Sequence, residues 1–88
     1  MSRDEIRELV LRELHAIAPE AELEQLDPKA DMRDALDLDS MDVLRFATAL
    51  HERLGIDIPE SAYAQITSVQ RCVEYLAHAL DTRSLSSR

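Results

Sequence analysis

A single glycine, Gly55, and three prolines, Pro19, Pro28 and Pro59, are all that 88 residues offer for tight turns. A β-sandwich or barrel needs a turn about every 8–12 residues, most of them carried by residues that adopt special dihedrals. This chain cannot supply them, so its strongest constraint is an all-α fold. Aromatic side chains are limited to Phe46, Tyr63 and Tyr75. The core must then be assembled from Leu, Ile, Val and Ala, which suits packed helices. A chain this short makes one domain around one modest core. It leaves little room for the deep pocket of a self-contained enzyme.

Helical periodicity locates the elements. Ser2 and Glu5 have capping-box spacing, and Ile6, Leu9, Val10, Leu14 and Ile17 follow at helical intervals. A first helix is therefore expected to about Ala18, ended with the help of Pro19. Leu11 falls beside that stripe and widens it. Residues 19–39 read as a long, acidic, largely irregular connection with a turn of helix near Asp31 to Ala35. A loop of that length in so small a domain is usually functional or a packed wrap. A second helix starts at Asp39 or Ser40, with Val43, Leu44, Ala47, Leu50 and Leu54 on its apolar face and Gly55 as a left-handed C-terminal cap. Ile56 to Pro59 should be extended, because the residue before a proline avoids helical dihedrals. Glu60 to Ala64 can form a short third helix. Thr67 or Ser68 caps a fourth, in which Val69, Cys72, Val73, Leu76, Ala77 and Leu80 make the cleanest stripe. The expectation is a small four-helix bundle, three main helices plus a short third one, with a long loop between the first and second. Residues 1–81 form the domain and 82–88 a flexible polar tail.

The formal charge of −8 disfavours nucleic acid, whose phosphates repel an acidic surface, and favours basic partners. The acidity is uneven. Residues 1–39 carry twelve acids and five bases, whereas residues 40–88 carry six and five. No apolar run is long enough to cross a membrane and the N-terminus lacks a signal-like apolar segment, so a cytoplasmic protein is expected. Cys72 alone forms no internal disulfide and sits on an apolar stripe, which reads as an inert core thiol. His15, His51 and His78 are scattered and read as surface residues. No resident metal is expected.

The stretch LDLDSMD, residues 36–42, holds Ser40 between Asp39 and Asp42 at the start of the second helix. An isolated Asp-Ser before a helix is usually a cap. The helix N-terminus also favours a phosphate, through its free N–H groups and dipole. The two carboxylates would repel that phosphate; they suit a divalent cation supplied during a modifying reaction, or a basic partner. A hydrolase is disfavoured. His51 lies about three turns along the same helix, beyond reach of Ser40, and no glycine-rich turn provides an oxyanion hole.

With these elements in order, the chain resembles the acyl carrier protein family from about residue 3 to residue 80. The resemblance rests on the ordered set Asp39-Ser40-Met41-Asp42, Leu54-Gly55-Ile56-Asp57-Ile58-Pro59-Glu60 and Ile66-Thr67-Ser68-Val69. It implies that the protein is no enzyme but a carrier, holding acyl groups as thioesters on a 4′-phosphopantetheine arm attached to Ser40. The arm comes from coenzyme A through a phosphopantetheinyl transferase with transient Mg2+, and Asp39 supports that modification. Asp42, Met41, Val43, Arg45 and Glu60 are implied to face partners or the arm, and Ile66 and Tyr75 to line an interior for acyl chains. Acyl-loading and acyl-using enzymes of a lipid or secondary-metabolite pathway are the implied partners, with no nucleic acid, no membrane and a monomeric state.

Three departures bear on the partners. Asp37 stands where the family pattern D-L-G-x-D-S has glycine. Arg45, His51 and Arg53 stand where acids are usual. The short third helix keeps only Glu60 as an acid. Together they imply a specialised, stand-alone carrier with dedicated partners. An aminoacyl or peptidyl carrier is the alternative, although the family's G-G-x-S is missing, and an unmodified helical interaction module is another.

Overall fold

A computed structural model describes the backbone of residues 1–86 and the side-chain surroundings of residues 1–81. The described residues contain helices and no strand. These are α1 (Arg3–Ile17), α2 (Met32–Ala35), α3 (Ser40–Leu54) and α4 (Val69–Ser86), with short 3-10 turns at Leu23–Gln25 and Glu60–Ile66. The long α1, α3 and α4 form the bundle. The expected second, third and fourth helices correspond to α3, the Glu60–Ile66 turn and α4.

Local chemistry sets the boundaries. Ser2 Oγ accepts the Glu5 N–H at 3.2 Å while Glu5 Oε1 accepts the Ser2 N–H at 3.0 Å, a complete capping box at the head of α1. The Ser2 backbone N–H, seconded by its hydroxyl, holds the Glu5 carboxyl below its ordinary pKa. Gly55 ends α3 at φ 66° and ψ 26°, its N–H donating to the His51 carbonyl at 2.8 Å. Of the two residues expected to cap α4, Ser68 does so: its Oγ accepts the Arg71 N–H at 3.2 Å. Thr67 instead closes the preceding turn, donating its hydroxyl to the Ala64 carbonyl at 3.0 Å. The α4 backbone stays helical through 82–86, where a polar tail was expected, because no glycine or proline follows Leu80 to break it. Residues 87 and 88 lie outside the described residues.

The core joins Ile6, Val10 and Leu14 of α1 to Phe46, Ala47 and Leu50 of α3 and Val69, Cys72, Val73 and Leu76 of α4. Phe46, off the expected stripe, is among its largest fully buried side chains. Leu44, expected on the core face, is instead 43% exposed. The α3 face that meets α1 and the Glu60–Ile66 turn carries Phe46, Ala47 and Leu50, and Leu44 falls to its side. Glu13 and Arg53 tie α1 to α3 at 3.0 Å, with Glu13 nearly buried. Arg53 is exposed but paired with Glu13, so it is not a free charge.

The loop before α3 is a packed wrap. Leu23, Leu26, Leu36 and Leu38 lie half-buried against the core, and Met32 is only 1% exposed. Two backbone bonds stitch the loop to the start of α4: Met32 N–H to the Thr67 carbonyl at 2.7 Å, and Gln70 N–H to the Pro28 carbonyl at 2.9 Å. Asp31 caps α2 by accepting the Arg33 N–H at 2.9 Å. The Arg33 guanidinium also grips it, at 2.8 Å and 3.1 Å, and holds its carboxyl below the usual range.

Met32 is thus the anchor of the loop. Met32→Ala should cost about 2–5 kcal/mol in urea unfolding, the range for emptying a buried methionine site. It should also speed hydrogen exchange at the Gln70 amide, which the loop holds. An unchanged midpoint would mean that the loop carries no part of the fold.

Candidate functional site

The head of α3 answers the question posed by LDLDSMD. Asp39, extended at φ −95° and ψ −178°, is the cap. Asp39 Oδ1 accepts the Asp42 N–H at 2.9 Å, and Asp42 Oδ2 accepts the Asp39 N–H at 3.2 Å. The two carboxylates that looked unsuited to a phosphate site are thus the two halves of a capping box. Ser40 is the first helical residue, exposed, and among the described residues nothing hydrogen-bonds its hydroxyl. Ser2 and Ser68, by contrast, both use their hydroxyl oxygens as caps. The free N–H groups and the positive dipole end of α3 lie beside an uncommitted nucleophile.

The backbone leading into this position passes through Asp37 at φ 55°, among the described residues the one non-glycine with positive φ. The aspartate keeps the left-handed turn that a glycine would supply more cheaply, so the departure changes charge and strain without redirecting the chain. The Leu38 N–H then donates to the Arg33 carbonyl at 2.9 Å, which locks the approach to Asp39.

A groove opens at Ser40, between the start of α3 and the Glu60–Ile66 turn. Asp39, Ser40, Met41, Val43 and Glu60 line it, as do Leu38, Leu44 and Tyr63, which sequence reasoning did not assign there. Met41 is 56% exposed, whereas Val43 is 8% exposed and forms the groove's inner wall. Arg45 is exposed and, among the described residues, pairs with no acid. Ile66 is in the core at 1% exposure. Tyr75 is half-buried and borders a separate cleft with Gln65, Arg71, Glu74 and His78.

Other chemistry is absent from the described residues. No group of three or more His, Cys, Asp or Glu could hold a metal ion. Burial pushes the Cys72 thiol up to about 12, so it stays protonated at neutral pH and is a poor nucleophile. The three histidines are exposed, as expected. His51 is nonetheless anchored, its Nδ1 2.8 Å from the Ile56 carbonyl, which as an acceptor requires the proton on Nδ1. That contact ties the end of α3 to the extended segment and points away from Ser40.

The family model for the phosphopantetheine attachment site matches residues 4–76. The chain belongs to the acyl carrier protein family. It is 30% identical over 76 residues to an acyl carrier protein of Rubrobacter xylanophilus, covering 86% of this chain and 93% of that one. It is 34% identical over 73 residues to one of Campylobacter hominis, covering 83% and 86%. With one of Cyanidioschyzon merolae it is 36% identical over 55 residues, which span 62% of this chain and 60% of that relative. Membership makes the chain a carrier rather than an enzyme, with a covalently attached phosphopantetheine. An exposed serine with a free hydroxyl at a helix N-terminus fits that group. No helix among the described residues is long and apolar enough to cross a membrane.

Relieving the strained position should be measurable. Asp37→Gly should raise stability by up to about 1 kcal/mol, the left-handed penalty less the added freedom of the unfolded chain. Asp37→Val should lower it, since a β-branched residue tolerates positive φ poorly. Urea denaturation of the two variants checks the sign; a loss in both would deny that the turn needs a left-handed residue.

Proposed function

We propose that this carrier holds acyl groups as thioesters on a 4′-phosphopantetheine arm attached to Ser40 and delivers them to partner enzymes of a lipid or secondary-metabolite pathway. The observation that carries the reading is the Ser40 hydroxyl, exposed and without a hydrogen-bond partner among the described residues while both neighbouring carboxylates serve the backbone. In the modifying reaction Ser40 Oγ forms the new bond to the phosphorus of the pantetheine half of coenzyme A. The pyrophosphate P–O bond breaks, adenosine 3′,5′-bisphosphate leaves, and the hydroxyl proton passes to a base of the transferase. Asp39 uses Oδ1 in the cap, which leaves Oδ2 to face the Mg2+ that accompanies coenzyme A.

Once attached, the arm supplies the sulfur that the protein lacks in reactive form, since Cys72 is buried and protonated. The protein's own part is address and shelter. Val43, Leu44 and Tyr63 give the arm an apolar groove beside its root. Met41, Leu44 and Arg45 form the exposed surface of α3 next to the serine, two apolar side chains and a cation. Asp42 and Glu60 add charge nearby. Electrostatic complementarity sets partner choice and encounter rate. The unpaired Arg45 favours partners with an acid opposite it and disfavours the basic docking surfaces that acidic carriers attract. The carrier is therefore specialised in its partners.

The test is intact mass after incubation with coenzyme A, Mg2+ and a broad-specificity phosphopantetheinyl transferase, beside Ser40→Ala. One phosphopantetheine gained by the wild type and none by the variant is the expected result. A gain in both would move the attachment point elsewhere, and none in either would leave a helical interaction module.

A further inference from the structure

Asp39 and Ser40 are adjacent and, as residue types, cap helices about equally well. Two registers are therefore open to α3. In one, Asp39 caps and the residue three positions on is Asp42. In the other, Ser40 caps and that residue is Val43. Only the first register has a side chain that can return a hydrogen bond to the cap's own N–H, and Asp42 Oδ2 makes it at 3.2 Å. Val43 has no acceptor and is nearly buried.

We infer that Asp42 is a positioning residue for the modification of Ser40: by completing the box with Asp39 it fixes the start of α3, so that Ser40 is the first helical residue and not the cap. The chain shows what the other register would do to a serine. At α1, Ser2 caps, Glu5 completes the box, and Ser2 Oγ is tied to the Glu5 N–H at 3.2 Å. At α4, Ser68 Oγ is tied to the Arg71 N–H at 3.2 Å. A capping hydroxyl has its torsion fixed and one lone pair directed at the helix amides. At the first helical position the same hydroxyl turns freely, gives up its proton and presents its oxygen to phosphorus. Asp42 touches neither Ser40 Oγ nor coenzyme A in this account; it acts through the helix end.

This inference rests on Ser40 being the attachment point, and the experiment separates the two. The full chain is prepared unmodified as wild type, Asp42→Asn, Asp42→Glu and Asp42→Ala. The rate constant kcat/KM for modification by a phosphopantetheinyl transferase with coenzyme A and Mg2+ is measured at low and high salt. In parallel, backbone chemical shifts give the Ser40 dihedrals. Asn retains an acceptor oxygen without charge, and Glu is the residue that completes the box at α1. Both should stay within about twofold of wild type, whereas Ala should be slowed about two- to fivefold as Ser40 competes for the cap. That deficit should persist at high salt, and the Ser40 dihedrals in Asp42→Ala should move from helical toward extended values. Asn as slow as Ala, with the deficit vanishing at high salt, would overturn the inference: the transferase would then be reading the charge of Asp42. So would Asp42→Ala modified at the wild-type rate with unchanged Ser40 dihedrals. Wild type that takes up no phosphopantetheine would overturn the attachment reading itself, and the Ser40 dihedrals would then decide the register alone.

Discussion

The reciprocal hydrogen bonds between Asp39 and Asp42 set the first turn of α3, and most of what matters about this protein is set with it. Along the helix that starts at Ser40, the 3.6-residue repeat sends Phe46, Ala47 and Leu50 into the core against α1 and the Glu60–Ile66 turn. The same phase turns Met41, Leu44 and Arg45 outward beside the serine. A start one residue later would leave most of this packing in place but draw the serine hydroxyl into the cap. The box therefore links a local hydrogen-bond preference to the chemistry that the whole fold serves.

The fold holds this helix end from both sides. Upstream, the loop is stitched to α4 at Met32 and Pro28, and Asp37 accepts a left-handed conformation so that Leu38 and Asp39 arrive in place. Downstream, Gly55 and the His51–Ile56 contact close the helix and turn the chain toward the Glu60–Ile66 segment, which supplies the groove's far wall. The acidic excess of the first 39 residues is partly structural. Asp31 and Asp39 cap helices, Glu5 completes a capping box, and Glu13 bridges to Arg53. Beside the serine, α3 exposes Met41, Leu44 and one cation, Arg45.

Much of this was legible in the sequence, because helix periods and caps are local. The stripe from Val69 to Leu76, the Ser2–Glu5 box, the Gly55 cap and the turn of helix after Asp31 all follow from residues within a few positions of each other. The serine itself was legible through the ordered motifs around it. What was not legible depends on partners distant in sequence. Glu13 and Arg53 lie forty positions apart, and nothing local to Arg53 shows that this surface charge is paired. Met32 gives no periodic signal, yet it is buried because the loop crosses the bundle. Leu44 matches an apolar pattern but falls outside the face that α1 and the Glu60–Ile66 turn cover. Asp39 and Asp42 had the spacing of a capping box, the one available signal, but the serine between them drew attention to their charge.

The account stands on the state of the two amides at the head of α3. Native-state hydrogen exchange of the Asp39 and Asp42 N–H groups, followed by NMR on the unmodified chain, measures that state directly. Both amides sit at an exposed helix end, where without the box they would exchange as in an unstructured peptide. The account predicts that both are slowed together, each by the carboxylate that accepts its hydrogen bond. Exchange of both at the unstructured rate in neutral solution would contradict it, since the carboxylates would then not hold the cap and nothing would keep the Ser40 hydroxyl free.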